Sequence, residues 1–268
     1  MNIEATALSQ AASDLYQAEV SRQQIGLLSQ RHPAMNMDDA YAIQKALVAH
    51  KLAAGREIIG WKIGLTSKAM QDALHIDTPD SGVLFDDMLF LHQSTVPKHR
   101  FIQPRIEAEI AFIMRDALGG ETVTREDVIA ATASVVPSLE ILDTRIQRRD
   151  VETGELRNVF DTIADNAANA GLVLGQERHD IAAVNLRWTG AIVRRNGVVE
   201  ETGLGAGVLD DPVESVVWLA RRMAQYGQRI EAGQVVLSGS FIRPVECPSG
   251  SEIEADFGRF GRVAVHFA

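Results

Sequence analysis

Apolar side chains recur at helical spacing near the start of the chain. Leu8, Ala11, Ala12, Leu15 and Ala18 predict an amphipathic helix in a stretch that Pro33 closes. A second helix is announced by Asn36 with Asp39 three residues later, the pattern of a capping box. Ala40, Ile43, Leu47 and Val48 carry its apolar face, and Gly55 stops it. Glycine is absent from residues 1–25 and frequent after Gly55. That shift predicts an N-terminal helical region, 1–56, and a second region, 57–268.

From Glu57 the period changes. Short β-branched runs at 58–63, 106–113, 183–199, 229–237 and 260–267 are separated by turn residues such as Asn196-Gly197. Two helices interrupt them. One is predicted from Thr124 to Val136, with Thr124 as cap and Asp127 at the third position. The other starts at Asp211-Pro212, continues through Val216, Val217, Ala220 and Met223, and stops at Gly227. Strands arrive in clusters instead of alternating with helices, so the expected class is α+β.

Composition narrows the functions available. The chain has 268 residues, 26 Lys+Arg against 36 Asp+Glu and a formal charge of -10, which argues against general nucleic-acid binding. A single cysteine, Cys247, allows no internal disulfide and no CxxC metal or redox motif. Residues 1–21 contain Glu4, Asp14 and Glu19 and no Lys or Arg, the wrong polarity for a secretory or transit peptide. No run approaches 18 consecutive apolar residues, so no membrane span is expected. The expected setting is the cytoplasm. Gly203-Leu204-Gly205-Ala206-Gly207 lacks the third glycine of a dinucleotide fingerprint, where Val208 stands.

The most informative stretch is Pro104–Phe112. Arg105, Glu107, Glu109 and Ala111 alternate with Ile106, Ala108, Ile110 and Phe112, so a strand here puts both glutamates on one face. Two carboxylates that close repel unless a cation lies between them or one is protonated. The face is therefore either a solvated acidic stripe or a cation site. Glu140 lies within the apolar run Val135–Asp143, where an ionised carboxylate needs a metal or a buried partner such as Arg105 or Arg145. Three carboxylates without His or Cys make a hard, all-oxygen donor set, suited to Mg²⁺ or Mn²⁺. The seven histidines show no HxH or HExxH spacing and read as surface or capping residues. Lys62 stands between Gly60 and Gly64 on an apolar strand, either snorkelling to solvent or presented to a pocket. Asp77 to Gly82 is turn-like, and aspartates there, Asp80 included, commonly cap backbone.

The segments Trp61–Gln71, Pro104–Phe112, Leu139–Ile146, Phe160–Gly171, Arg195–Gly203 and Leu237–Phe241 together resemble the hydratase/decarboxylase branch of the fumarylacetoacetate hydrolase superfamily. The likeness runs in order along nearly the whole chain. It implies a mixed β-roll or barrel catalytic domain, like the C-terminal domain of that superfamily, with a small N-terminal helical region and assembly as a homo-oligomer. It further implies a divalent metal at Glu107, Glu109 and Glu140, with Lys62 and Asp80 as catalytic groups in the pocket. The implied reaction is hydration of a 2-oxo-alkenoate from aromatic meta-cleavage, with decarboxylation as an alternative. For a 2-oxo acid substrate, Ser240 and Arg105 are the candidate binding residues; Ser240 also reads as an ordinary turn serine, and Arg105 as the partner of a structural carboxylate. Hydrolytic members carry a His- and Glu-bearing short helix after the first glycine-flanked strand; Leu65–Gln71 contains no histidine, which disfavours C–C hydrolysis. A non-catalytic expectation also stands, an oligomeric scaffold for an aldolase or dehydrogenase of the same route.

Overall fold

The N-terminal periodicity folds as helix. In the computed structural model, which describes residues 3–68, 71–72 and 78–268, α1 spans Ala5–Ser21 and buries Ala11, Ala12, Leu15 and Ala18. It ends at Arg22 in the left-handed region (φ 58°), well before Pro33, and the intervening chain forms only the short α2, Leu28–Arg31. Helix α3, Met37–Ala53, has the predicted box: Asp39 N–H donates to Asn36 Oδ1 at 3.0 Å, and Asn36 N–H donates to Asp39 Oδ2 at 3.1 Å. Leu15, Leu28, Ile43 and Leu47 form one apolar cluster with Ile146 and Ile163. Gln44 on α3 carries a polar link out of it, donating to Ser81 O at 2.8 Å and Ile163 O at 2.9 Å.

The remainder is built on sheets. Strands β1 (Ile58–Gly64), β2 (Asp80–Phe85), β3 (Leu89–Phe90), β4 (Thr95–Val96) and β5 (Arg105–Met114) come first. Helix α4 (Arg125–Ala131) leads into β6 (Thr132–Leu142), and α5 (Val159–Ala164) precedes β7 (Asn169–Leu174). The hairpin β8 (Gly190–Arg195) and β9 (Val198–Leu204) turns at Asn196-Gly197, both at positive φ. Helix α6 (Pro212–Ala224) is capped by Asp211, and β10 (Val235–Leu237), β11 (Val245–Glu246), β12 (Glu252–Asp256) and β13 (Arg262–Phe267) complete the chain. Among the described residues one eight-stranded sheet runs β2-β1-β10-β5-β6-β7-β3, with β11 added beside β5, and a second runs β4-β13-β12-β8-β9. Their shared core includes Ile106, Ile110, Phe112, Leu139, Val193, Ile253 and Val263. This is the expected α+β architecture with a curled sheet.

The predicted helix 124–136 is too long. Thr124 caps it and Asp127 closes the box, but it ends at Ala131, and 132–136 open the eleven-residue β6. Val135, Val136 and Pro137 fit a pleated strand better than a helix interior, where proline loses a bond and clashes. The runs 183–199 and 229–237 are also overlong, since regular strand begins only at Gly190 and Val235. Residues 181–183 and 186–188 are single 3₁₀ turns. Among the described residues, no helix is long and apolar enough to cross a membrane. His75, Asp77 and the Ala69-Met70 pair of the lysine motif lie outside the described residues.

Candidate metal and active site

Strand pairing sets the acidic cluster. On the β5–β6 ladder Glu107 stands directly opposite Glu140, and Glu109 opposite Ser138. One carboxylate oxygen from each of Glu107, Glu109 and Glu140 lies within 4.8 Å of the others. Glu109 and Glu140 are fully buried, and Glu107 is half-buried, so the solvated-stripe reading does not hold. Glu109 Oε2 accepts from the Gly239 backbone N–H at 2.7 Å. Its other oxygen, and both oxygens of Glu140, are buried without a hydrogen-bond partner among the described residues. Burial first, then repulsion from Glu140, pushes Glu107 up to about 8. Burial and Glu107 push Glu109 up to about 7, and Glu140 is raised well above the usual carboxylate range chiefly by burial. Three crowded, under-satisfied carboxylate oxygens fit a hard dication, which would replace the protons that burial otherwise imposes.

Lys62 closes the cluster from the far side. Strand β1 is three places from β6, and on a flat sheet three steps of about 4.8 Å would separate them by about 14 Å. Lys62 Nζ nevertheless lies 3.3 Å from Glu140 Oε1, because the sheet curls and its concave side chains converge. Burial pulls the ammonium down, but Glu140, Asp80, Glu107 and Glu109 together raise it, so it stays charged. Asp80 faces Gly64 across the β1–β2 ladder and is buried, which raises its carboxyl against the pull of Lys62; its Oδ1 has no hydrogen-bond partner among the described residues. A Cβ at Gly64 would strike the Asp80 carboxylate and come within 3.1 Å of Lys62 Nζ, so only glycine fits there.

A left-handed turn aims the lysine. Asn166, Ala167 and Ala168 have φ of 51°, 53° and 58°, a conformation costing about 1–2 kcal/mol per non-glycine residue. Asn166 anchors it, accepting from Val83 N–H at 2.8 Å and donating to Val83 O at 2.9 Å. The turn presents Ala167 O to Lys62 Nζ at 3.3 Å. No periodicity predicts this conformation. The Asp165–Asn169 portion of the resembling segment is its only trace in the sequence.

The remaining predicted residues are placed differently. Arg105 shares its strand face with Glu107, but its guanidinium is engaged with Glu246 at 2.7 Å, not with Glu140. Arg145 is buried against Asp165. The Ser240 hydroxyl serves its own turn, donating to Ile242 O at 2.9 Å and accepting from Ile242 N–H at 3.2 Å. Ser238, two residues earlier, is fully buried with a hydroxyl that has no hydrogen-bond partner among the described residues. The Tyr41 phenol, pushed up to about 12 by burial and by Asp80, lies on the helical side of the pocket. Ser238 falls within the resembling segment Leu237–Phe241, whereas Tyr41 stands in no local pattern that marks it.

Over 256 residues, 96% of each chain, the protein is 48% identical to the 2-oxo-hept-4-ene-1,7-dioate hydratase of Escherichia coli. The chain belongs to the hydratase/decarboxylase branch of the fumarylacetoacetate hydrolase superfamily. It is also 39% identical over 258 residues to a 2-keto-4-pentenoate hydratase of Paraburkholderia xenovorans (strain LB400), covering 96% of this chain and 94% of that one. Among solved structures it resembles 4-oxalocrotonate decarboxylase from Pseudomonas putida G7, complexed with magnesium and adipate, at TM-score 0.93 and 31% identity over 99% of both chains. No family model matches the chain.

Proposed function

We propose that this chain is a metal-dependent hydratase that adds water to a 2-oxo-alkenoate, most specifically 2-oxo-hept-4-ene-1,7-dioate. The observation that carries the reading is the convergence on a charged lysine of three glutamates, two of them fully buried with oxygens that have no hydrogen-bond partner among the described residues. The 48% identity to a hydratase of that dioate supports the substrate. Glu107, Glu109 and Glu140 would hold Mg²⁺ or Mn²⁺, which supplies Lewis-acid stabilisation of negative charge on the substrate's 2-oxygen.

The protein's own groups account for the proton movements. Water adds at C4 only when the double bond is conjugated with the ketone, so a proton must first leave C3 and another reach C5. Asp80, buried with a free oxygen and a raised pKa, is the group for that transfer. It then helps water lose a proton as hydroxide bonds to C4, while C3 regains one. Lys62, held charged by its four carboxylate neighbours, donates to the oxygen on which charge develops, and the Ala167 carbonyl fixes its direction. Arg105, on the face of Glu107 but paired with Glu246, would draw an incoming carboxylate only by its charge and not hold it. The hydroxyls of Ser238 and Ser240 flank the Gly239 N–H that orients Glu109. Exposed Val198, Val199 and Leu204 on β9 support self-association of the chain.

The fold shared with a decarboxylase gives a second reading, loss of CO₂ from an oxalocrotonate. Incubating the Mg²⁺-loaded protein with the seven-carbon dioate, the five-carbon keto-pentenoate and oxalocrotonate separates them. The expected result is the highest kcat/KM on the seven-carbon acid without gas release. Stoichiometric CO₂ would replace hydration with decarboxylation, and preference for the five-carbon acid would change the substrate but keep the chemistry.

A further inference from the structure

A dicarboxylic substrate needs a cation for its far end, and most cations near the pocket are already committed. Arg145 is locked to Asp165 and to backbone carbonyls. Arg105 pairs with Glu246, while Arg148 donates to Gln103 O and lies 3.8 Å from that same Glu246. Arg157 is different. Its half-buried guanidinium makes no ion pair or hydrogen bond with any described residue, and its Nη1 is fully enclosed without a partner.

The neighbouring acids are unavailable to it. Asp161 accepts from Ser29 N–H, Ser29 Oγ and Asn158 N–H, and Asp165 accepts from Arg145 through both oxygens. Arg157 stands among charges of both signs: burial and then repulsion from Arg105 and Arg157 hold Arg148 down to about 10. Burial also lowers Arg157, against the pull of Asp165 and Asp161, and Arg145 and Arg105 lower it further. Leaving a half-buried guanidinium with an enclosed nitrogen that has no hydrogen-bond partner among the described residues is costly unless a mobile anion completes it. Arg157 also acts on the active site, since its charge draws down the Asp80 carboxyl that burial raises.

We propose that Arg157 binds the distal carboxylate of a dicarboxylic 2-oxo acid and so sets the preference for the seven-carbon dioate over the five-carbon monoacid. This rests on the hydratase reading above. The dimensions agree: a seven-carbon chain spans about 7.5 Å between end carbons, at about 1.25 Å per bond. The Arg157 backbone N–H donates to Arg148 O at 3.0 Å, and Arg148 and Arg105 share Glu246, so Arg157 belongs to the group of cations beside Arg105, one same-face step of about 7 Å along β5 from Glu107. The guanidinium can give the carboxylate two parallel N–H donors, which a lysine at this position could not.

The test is the ratio of kcat/KM for 2-oxo-hept-4-ene-1,7-dioate to that for 2-keto-4-pentenoate, in wild type, R157M and R157K. Loss of a charge-assisted pair should lower this ratio about 50-fold in R157M, mainly through KM for the dioate. R157K keeps the charge but loses the fork, and should lower it about tenfold; it carries the test alone if R157M does not fold. A ratio within threefold of wild type in the folded variants, whether both rates fall together or neither changes, overturns the assignment. A wild type active on the five-carbon acid and inactive on the dioate overturns it while leaving hydration intact. A wild type active on neither acid overturns the hydratase reading and this inference with it.

Discussion

Two buried ion pairs in this molecule have opposite characters. Arg145 and Asp165 satisfy one another almost completely. Arg145 Nε and its backbone N–H donate to the two Asp165 oxygens at 2.5 and 2.8 Å, while its terminal nitrogens donate to Asn169 O and Asp165 O at 2.9 and 2.6 Å. Lys62 and Glu140 are equally buried, but among the described residues neither Glu140 oxygen accepts a well-formed hydrogen bond, and Glu109 and Asp80 each keep a buried oxygen without a partner. A saturated pair ties chain segments together. An unsaturated one holds a demand for something from outside the chain.

Breaking each pair should separate those roles. The largest effect is expected for Glu140→Gln, which should cut hydratase turnover more than about 1,000-fold at saturating Mg²⁺, equivalent to about 4 kcal/mol of barrier. Its circular dichroism and metal-free melting point should stay near those of wild type, because glutamine keeps the shape of a carboxyl that burial already raises well above the usual carboxylate range. Arg145→Met should behave in the opposite sense. Stranding Asp165 costs about 3–5 kcal/mol, and calorimetry should show a melting point lower by about 10 °C, with kcat of the remaining folded protein little changed. Lys62→Met comes next, with kcat lowered about 100- to 1,000-fold, as for loss of a single oxyanion donor. A normal kcat would make Lys62 a purely structural counter-charge.

The smallest and most graded effect is that of pH on the metal-free protein. Glu107 at about 8 and Glu109 at about 7 hold protons in the folded state that the unfolded chain releases near 4.5. Stability in EDTA is therefore expected to fall as pH rises from about 5 to 8, the reverse of a salt-bridged carboxylate. Added Mg²⁺ should restore the melting point more at pH 8 than at pH 5, with proton release visible by calorimetry in buffers of different ionisation enthalpy. Equal stabilisation at both pH values would remove the carboxylates from metal binding.

The sequence exposes these regions unequally. The caps at Asn36, Thr124 and Asp211 are local chemistry and are readable directly, as is the alternation that puts Glu107 and Glu109 on one face. The end of α4 is not, because the small and β-branched residues of Ala131–Val136 fit either period, and pairing with β5 and β7 decides the outcome. Sheet curvature, which brings Lys62 to Glu140 across three strand intervals, is a property of the assembled ladder and leaves no mark in any window of residues. Arg157 is equally hidden. Its importance lies in partners that its neighbours have already taken.

Gln44 joins the apolar N-terminal cluster to the strand beginning at Asp80 and to the helix leading into the left-handed turn behind Lys62. The helical region is thus the back wall against which both proton-handling groups are braced. Softening substitutions deep among Leu15, Ile43 and Leu47, remote from any bound molecule, should blur the aim of the ammonium before they unfold the chain, so that catalytic rate becomes an early gauge of damage to a core that never meets substrate.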